Sequence, residues 1–361
     1  MRLKPITTAC LFLALLALPG CSPPYLVHLG IGQGRIMLAR EGYRDVLKDP
    51  RFAPADKSML LVIQEVKRFG EEEIGLAGTD NFDSYVRLNR EAVSWIVLAA
   101  EKSKLVSHEW WFPFVGRVPY KGYFSKKRAL EEADRMAARG FDTHVRPVAA
   151  YSTLGYFSDP VFSTFLRYPE SNLPELILHE LTHATLFVKG EVDFNEGFAT
   201  FVGYKGGVSY LESRYGPGSP LVAEARARFR DDLAFGRFVS ALSRRLEKLY
   251  DEALPLEASL SRRAAIFAEE KEAFRELRRS FAYNRYDAFV EAEWNNALVL
   301  GHRRYYGDLP RYEALYTNLG RDLGRVVAWF VDAEKRGEKP AEALRRGAAM
   351  SGDAAIPKEN G

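Results

Sequence analysis

The five residues at positions 179–183, with the sequence HELTH, constrain the fold of this chain more than any other segment. They lie within residues 173–188, a run that is compatible with one helix. Two histidines four positions apart project from the same face of an α-helix, about one turn apart. The Nε2 atoms of His179 and His183 are therefore expected to bind a single tetrahedral metal ion, and we expect one Zn²⁺ per chain.

Glu180 directly follows the first histidine of this motif. From this position a carboxylate reaches the open coordination position of the metal rather than the metal itself, so it can take a proton from water. The alternative is that both histidines make ordinary hydrogen bonds on a helix. Six histidines in 361 residues make a chance match to this motif improbable, which favours the metal site.

A zinc site that keeps an open position needs a third protein ligand, and Glu196 is the best candidate. It lies on what reads as a second helix, beginning near Asp193. The turn at Gly190 lies seven residues after His183 and six before Glu196, so at about 1.5 Å per residue an antiparallel helix pair brings Glu196 level with His183. Glu191 and Asp193 are the alternatives, but they lie in or near the turn, about one helix turn farther from the histidines. Asp193 is better suited to supporting a ligand or capping the helix.

Residues 1–20 have the pattern of an export signal, with an apolar run over residues 9–18 that is too short to span a bilayer. Residues 18–21, LPGC, resemble a bacterial lipobox, which implies cleavage before Cys21 and acylation of that cysteine. Ser22 stands where an aspartate would retain a lipoprotein at the inner membrane, which by analogy favours the outer membrane facing the periplasm. We therefore expect a lipid anchor in the bacterial cell envelope, and an ordinary signal peptide cut nearby is the alternative.

The charge and one glycine-rich segment exclude two classes of partner. Residues 1–20 contain Arg2 and Lys4 and no acidic residue, so their removal lowers the formal net charge from +3 to +1. A nearly neutral chain gives no electrostatic reason to expect nucleic acid. Residues 30–34, GIGQG, lack the preceding strand and the glycine spacing of a phosphate loop, so no nucleotide is expected.

The composition, 47% hydrophobic and 27% charged, is that of a globular protein. We expect an α+β fold that is predominantly helical, with a single domain over residues 21–350 and a disordered tail at residues 351–361. Within the domain we distinguish a mixed N-terminal part (21–140), a zinc-site core (141–217) and a helical part (218–350).

Apolar spacing and turn residues predict the elements of this domain. The β-rich runs between residues 82 and 123 predict a small antiparallel sheet, and residues 151–157 read as another strand. A long helical hairpin is expected around Pro255. Further helices are predicted at residues 25–48, 53–73, 126–139, 287–300, 310–319 and 323–335.

Residues 179–183 together with residues 195–199, NEGFA, resemble the gluzincin arrangement, and NEGFA is similar to the third-ligand motif of zinc aminopeptidases. The chain as a whole, including its lipobox, resembles a family of bacterial lipoproteins named "putative aminopeptidases". In that family a strand like residues 151–157, the zinc helix and an Asn-Asn-Ala segment like residues 295–297 occur together. The resemblance implies a metallopeptidase with a zincin-like catalytic core and peptide substrates.

Two departures limit what the resemblance implies. Only twelve residues separate His183 from Glu196, fewer than in the well-studied zinc aminopeptidases. The Gly-x-Met-Glu-Asn motif, which binds the free amine of the substrate in those enzymes, is absent from this sequence. The resemblance therefore extends to the metal centre and not to the exopeptidase specificity.

The expected reaction is zinc-dependent hydrolysis of a peptide bond, in which Glu180 moves a proton from water to the leaving amine. We expect the removal of N-terminal residues from peptides in the cell envelope. An envelope endopeptidase, a peptidoglycan-directed amide hydrolase and a zinc-stabilised scaffold without activity are the alternatives. Glu180 argues against the scaffold, because a structural zinc site usually has four protein ligands and no base. Tyr305 and Tyr306 are candidate donors to the developing oxyanion, although most tyrosines are simply packing residues.

The segment before the metal motif is expected to hold the substrate. A peptide would pair as an extended strand beside residues 151–157, where Gly155 and Tyr156 are the expected substrate-binding residues and Gly155 permits close backbone approach. An aminopeptidase also needs a carboxylate for the ammonium group of its substrate. Asp159 is the candidate, and its alternative role is that of a turn residue before Pro160.

Overall fold

The computed structural model describes residues 23–112, 116–148 and 158–350. Most of these residues are helical and the strands form small sheets, in agreement with the expected α+β fold. Within these ranges, no helix combines the length and the apolar character that a membrane span requires.

The helices occur throughout the described ranges and dominate the second half of the chain. They are α1 Pro23–Leu38, α2 Tyr43–Lys48, α3 Pro54–Phe69, α4 Lys126–Ala138, α5 Leu173–Thr185, α6 Val192–Tyr215, α7 Pro220–Asp251, α8 Leu256–Arg278, α9 Asp287–Glu291, α10 Asn296–Tyr306, α11 Leu309–Asn318, α12 Leu323–Lys335 and α13 Pro340–Ala348.

The strands of the described ranges form three small sheets. In the first sheet, β2 pairs antiparallel with β1 and parallel with β8. The second sheet is antiparallel and has the strand order β6-β3-β7. The third sheet is the antiparallel hairpin of β4 and β5. The parallel pair differs from the expected antiparallel sheet, because β8 returns beside β2 after a long crossover that contains the second sheet and α4. The strands are β1 Glu41–Gly42, β2 Ser84–Val86, β3 Ser94–Ala100, β4 Trp110–Phe112, β5 Gly116–Val118, β6 Lys121–Tyr123, β7 Asp142–Val148 and β8 Val161–Phe162.

Strand β3 is buried along its whole length because both of its faces are covered. Successive side chains of a strand point to opposite faces. Trp95 and Val97 pack on one side with Ala129 of α4. Ile96 and Leu98 face the other side, where they line the cavity described below. The central strand of the second sheet therefore forms part of the wall of the functional site.

The predicted helical hairpin is confirmed by α7 and α8. Leu242 and Leu246 on α7 and Phe267 and Phe274 on α8 belong to one buried apolar cluster, as their helical spacing predicted. This cluster also contains side chains of β3 and α10. A larger apolar cluster joins α3, α5, α6, α11 and α12.

Two predicted helices are interrupted in the structure. Residues 25–48 form α1 and α2 with β1 between them, because Glu41 and Gly42 pair with β2. Residues 287–300 form α9 and the start of α10, because Asn295 begins a new helix and its Oδ1 accepts a hydrogen bond from the backbone nitrogen of Leu298. Helix α13 was not predicted.

Candidate active site

Glycines on α6 allow this helix to approach α5 closely. A Cβ atom at Gly203 would lie 2.6 Å from the carbonyl oxygen of Glu175, and one at Gly207 would lie 3.1 Å from the backbone nitrogen of the same residue. Side chains at these positions would push the two helices apart. The close packing of α5 and α6 brings Glu196 beside His183, as the spacing of the sequence predicted.

The side chain of Asn195 holds the turn between α5 and α6. Its Oδ1 accepts a hydrogen bond of 2.9 Å from the backbone nitrogen of Val188, and its Nδ2 donates one of 2.8 Å to the carbonyl oxygen of the same residue. Gly190 completes the turn with a φ of 85°, which favours glycine. Asn195, the first residue of the NEGFA motif, therefore fixes the turn that leads into α6. Glu196 is the next residue on this helix.

The donor atoms of the three predicted metal ligands converge. His179 Nε2 and His183 Nε2 lie 3.2 Å apart, and Glu196 Oε2 lies 3.5 Å from the first and 3.6 Å from the second. The alternative ligand Asp193 points elsewhere, because its Oδ1 accepts a hydrogen bond of 2.7 Å from Arg304 Nε. The structure thus brings together the three residues that the sequence singled out.

The spacing of these atoms fits a tetrahedral zinc ion. Ligand atoms at about 2.0–2.1 Å from a tetrahedral ion lie about 3.3 Å from one another, which is close to the three distances between His179, His183 and Glu196. Two imidazole nitrogens and one carboxylate oxygen also form a donor set that leaves the fourth position of zinc open. These residues could therefore hold a catalytic zinc ion.

The electrostatics of the cluster favour a cation. Burial raises the pKa of Glu196, but the adjacent imidazoles of His179 and His183 outweigh it, so that the pKa lies well below its ordinary value. Burial lowers the pKa of His183, and the contact with Glu196 more than reverses this. A carboxylate that is stabilised in its charged form is suited to bind a metal ion, which would displace the proton that the histidine holds.

Glu180 lies in the same wall as the three ligands. Burial raises the pKa of its carboxyl above the ordinary value, and the neighbouring His179 and His183 lower it in part. A carboxylate whose pKa lies closer to neutrality is a stronger base for water than an exposed one. The position and the electrostatics of Glu180 both suit a general base.

These side chains line a cavity of about 840 Å³. Helices α5 and α6 form one part of its wall, strands β3 and β7 another, and α10 a third. The volume lies within the range of pockets that enclose small organic ligands. The cavity is therefore large enough to surround a short segment of peptide at the candidate metal centre.

Tyr305 and Tyr306 both line the cavity but have different partners. The ring of Tyr305 stacks on His179, with centroids 6.4 Å apart and planes at 18°, and its hydroxyl accepts a hydrogen bond of 2.6 Å from Arg146 Nη2. The hydroxyl of Tyr306 accepts a bond of 2.8 Å from Arg285 instead. Burial raises the pKa of Tyr305, which keeps it protonated. Because its oxygen already accepts a hydrogen bond, its own proton is available to a group beside the metal centre.

Arg146 is a site residue that the sequence analysis missed. It lies on β7, where His144, Arg146 and Val148 alternate along one face and line the cavity. Polar residues at alternating positions of a strand mark a face that meets a polar site, and this pattern was the available signal. The partner of Arg146, Tyr305, lies 159 positions away in the sequence, so no local pattern predicts the contact.

The remaining predicted site residues are Gly155, Tyr156, Cys21 and Asp159. Gly155, Tyr156 and Cys21 lie outside the described residues, as does the predicted strand at 151–157. Asp159 is buried, and its backbone nitrogen donates to Asn81 Oδ1 at 2.8 Å. Its carbonyl oxygen accepts a hydrogen bond of 2.7 Å from the backbone nitrogen of Phe82, and its charge contributes to the raised pKa of Glu180, although it is not among the described residues that line the cavity.

A comparison with protein families identifies the chain. The family model described as "Putative aminopeptidase" matches residues 24–344. The chain belongs to this family. The match includes the histidine and glutamate cluster and the cavity, and the name of the family indicates aminopeptidase activity. Searches of curated proteins and of solved structures gave no significant match.

Proposed function

We propose that this protein is a zinc-dependent aminopeptidase that removes N-terminal residues from peptides in the bacterial cell envelope. The convergence of His179, His183 and Glu196 in a cavity that also contains Glu180 is the observation that supports it most directly. Two nitrogens and one oxygen at this spacing, beside a base, are the parts of a hydrolytic zinc site. We further propose that residues 21–350 form one metallopeptidase domain with a zincin-like core.

In the proposed mechanism His179, His183 and Glu196 hold the ion and Glu180 moves the proton. A bound zinc ion would act as a Lewis acid on the scissile carbonyl and lower the pKa of the attacking water. Glu180 takes the proton from that water and gives it to the leaving amine. The cavity walls around these residues limit the access of bulk solvent, which strengthens each of these charge interactions.

We assign the role of oxyanion donor to Tyr305 rather than Tyr306. Its ring stacks on the ligand His179, and Arg146 fixes its hydroxyl and leaves the O–H proton free. Arg146 is then a positioning residue, which acts through Tyr305. The hydroxyl of Tyr306 accepts a hydrogen bond from Arg285, and its ring stacks on His302 rather than on a ligand.

The phenylalanine variants test this assignment. Tyr305→Phe is expected to lower kcat by about 100-fold with little change in KM, because the lost hydrogen bond forms in the transition state. Tyr306→Phe should lower kcat by no more than about threefold. Steady-state kinetics on one peptide substrate measure both, and a larger loss in Tyr306→Phe would reverse the assignment.

An endopeptidase with the same zinc centre is the main alternative, and a library of peptides separates the two. The purified protein should cleave tetrapeptides with a free amine and release single N-terminal residues, and it should leave the N-acetylated library largely intact. Removal of the metal by a chelator should abolish cleavage, and added zinc should restore it. Equal cleavage of both libraries would favour the endopeptidase, and no cleavage by zinc-loaded protein would favour the inactive scaffold.

The lipobox-like residues 18–21 support a proposal about location, which is a lipid anchor at Cys21 in the outer membrane. A single acyl chain anchors weakly, whereas the multiple chains of a lipoprotein bind a membrane stably.

Cys21→Ser should abolish the incorporation of labelled palmitate and move the protein from the membrane fraction to a soluble exported fraction. Its peptidase activity should not change, because the anchor takes no part in the proposed chemistry. A wild-type protein that takes up no label and fractionates as soluble would show that the chain carries an ordinary signal peptide.

A further inference from the structure

A carboxylate that the proposed mechanism does not use lies in the cavity wall, one helical turn from the candidate metal centre. Glu175 is in the first turn of α5, four residues before His179, so both side chains project from the same helix face. Its Oε2 atom is buried and has no hydrogen-bond partner. An unpaired buried acceptor is costly, and burial accordingly raises the pKa of this carboxyl. Glu175 therefore lacks a partner that a ligand in the cavity could supply.

The charges around Glu175 do not balance. The nearest cations are Arg228, whose Nε lies 3.9 Å from Oε2, and Arg285, whose Nη1 lies 4.0 Å from Oε1. Each of these arginines has a closer carboxylate: Arg228 lies 3.3 Å from Glu224, and Arg285 lies 3.1 Å from Asp232. Among the described side chains of this cluster, three carboxylates thus face two guanidinium groups. Burial raises the pKa of Glu175 and raises that of Asp232 to about 7, so these buried carboxyls share the formal surplus of one negative charge. Glu175 is the one with the longest contacts to the guanidinium groups.

Glu175 and the candidate metal ligands line the same cavity. Four residues of α-helix span about 6 Å along the axis, which separates the backbone of Glu175 from that of His179. A peptide whose first carbonyl lies at the metal centre can therefore direct its ammonium group along this wall toward Glu175.

We propose that Glu175 binds the α-ammonium group of the peptide substrate and thereby restricts cleavage to the first peptide bond. This inference rests on the proposed function and deepens it by naming the residue that recognises the free N-terminus. An ammonium group supplies one positive charge and three donors, which match the surplus charge and the unpartnered oxygen of Glu175. Asp159, which the sequence suggested for this role, is not among the described residues that line the cavity, whereas Glu175 is.

The test compares Glu175→Gln with the wild type on free-amine tetrapeptides and on the same peptides after N-acetylation. Glutamine keeps the shape of the side chain and removes its charge. The kcat/KM for free-amine peptides should fall by about 30-fold, mainly through KM, whereas the low rate on acetylated peptides should change by less than about threefold. Zinc content and melting temperature should match the wild type, because Glu175 is not a metal ligand.

The matched control is Glu212→Gln, which neutralises a carboxylate of α6 that pairs with Arg226 and is not among the described residues of the cavity wall. It should keep the wild-type preference for free amines. Glu175→Asp retains the charge on a shorter side chain, and it should keep the preference at a lower rate even if the glutamine variant folds poorly.

The wild-type and variant results separate the two claims. If the wild type prefers free amines and Glu175→Gln shows the same preference, the subsite assignment is wrong and the aminopeptidase function stands. If the wild type cleaves both sets of peptides equally, the aminopeptidase function is wrong, and the assignment of Glu175 as the ammonium subsite is then wrong as well. If Glu175→Gln instead gains affinity for peptides with a free C-terminal carboxylate over their amides, Arg228 and Arg285 bind that carboxylate and the proposal is overturned.

Discussion

Glu180→Gln should lower kcat by about a thousandfold while the protein keeps its zinc. Glutamine occupies the same space as glutamate but cannot accept a proton from water, so the variant loses the general base. The metal ligands His179, His183 and Glu196 are unchanged, and their donor atoms lie within 4.8 Å of one another without any contribution from Glu180. Activity and metal content should therefore separate in this variant.

Steady-state kinetics and elemental analysis of the same preparation measure both quantities. Glu191→Gln is the matched control, because Glu191 lies in the turn before α6 and is not among the described residues of the cavity wall. It should retain near wild-type activity. A Glu180→Gln variant with more than about a tenth of the wild-type kcat would assign the proton transfer to another group.

The second large effect is expected for Glu196→Gln, which should weaken zinc binding by about 100-fold or more. The substitution replaces one of three protein ligands with a neutral amide, and an amide oxygen is a much poorer zinc ligand than a carboxylate. Competition with a chromophoric chelator measures the dissociation constant. Asp193→Asn, three residues earlier on α6, is the control, because Asp193 pairs with Arg304 and should leave zinc affinity near that of the wild type. Unchanged zinc affinity in Glu196→Gln would exclude it as the third ligand.

Removal of the metal should not unfold the protein. The two large apolar clusters are built from side chains outside the metal cluster, so the apo protein should unfold cooperatively at a lower temperature. This behaviour distinguishes a catalytic ion from a structural one.

The metal cluster could be predicted from the sequence because its geometry is local. The separation of His179 and His183 on one helix face follows from the helical repeat alone. The position of Glu196 needs only a short turn and a second helix, and Asn195 and Gly190 supply that turn in the structure. Each of these features is contained within eighteen consecutive residues.

The rest of the site depends on contacts between distant segments. Tyr305 and Tyr306 are neighbours in the sequence and on one helix, and their roles differ because the ring of Tyr305 stacks on His179 and the two hydroxyls have different arginine partners. Glu175 reads in the sequence as an acidic residue in the first turn of a helix, where it needs no further explanation. Its surplus charge becomes visible only when α7 and the segment before α9 bring their arginines and carboxylates beside it.

The break in the predicted helix 287–300 has the same cause. The amide nitrogen of Asn296 donates hydrogen bonds to the carbonyl oxygens of Glu101 and Lys104, more than 190 residues earlier. Asn295 Nδ2 donates to the carbonyl oxygen of Thr143 in β7. The Asn-Asn-Ala segment thus anchors α10, which carries Tyr305, to the second sheet. Apolar periodicity alone could not predict this, because the segment is fixed by polar contacts with a sheet far away in the chain.

Anomalous diffraction from crystals of the zinc-loaded protein, collected at the zinc absorption edge, tests the central claim most directly. The account predicts one strong peak per chain, about 2.0–2.2 Å from His179 Nε2, His183 Nε2 and one carboxylate oxygen of Glu196, with a fourth position not filled by protein. A peak bound by other residues, a fourth protein ligand at this site, or no peak at these three side chains would contradict it.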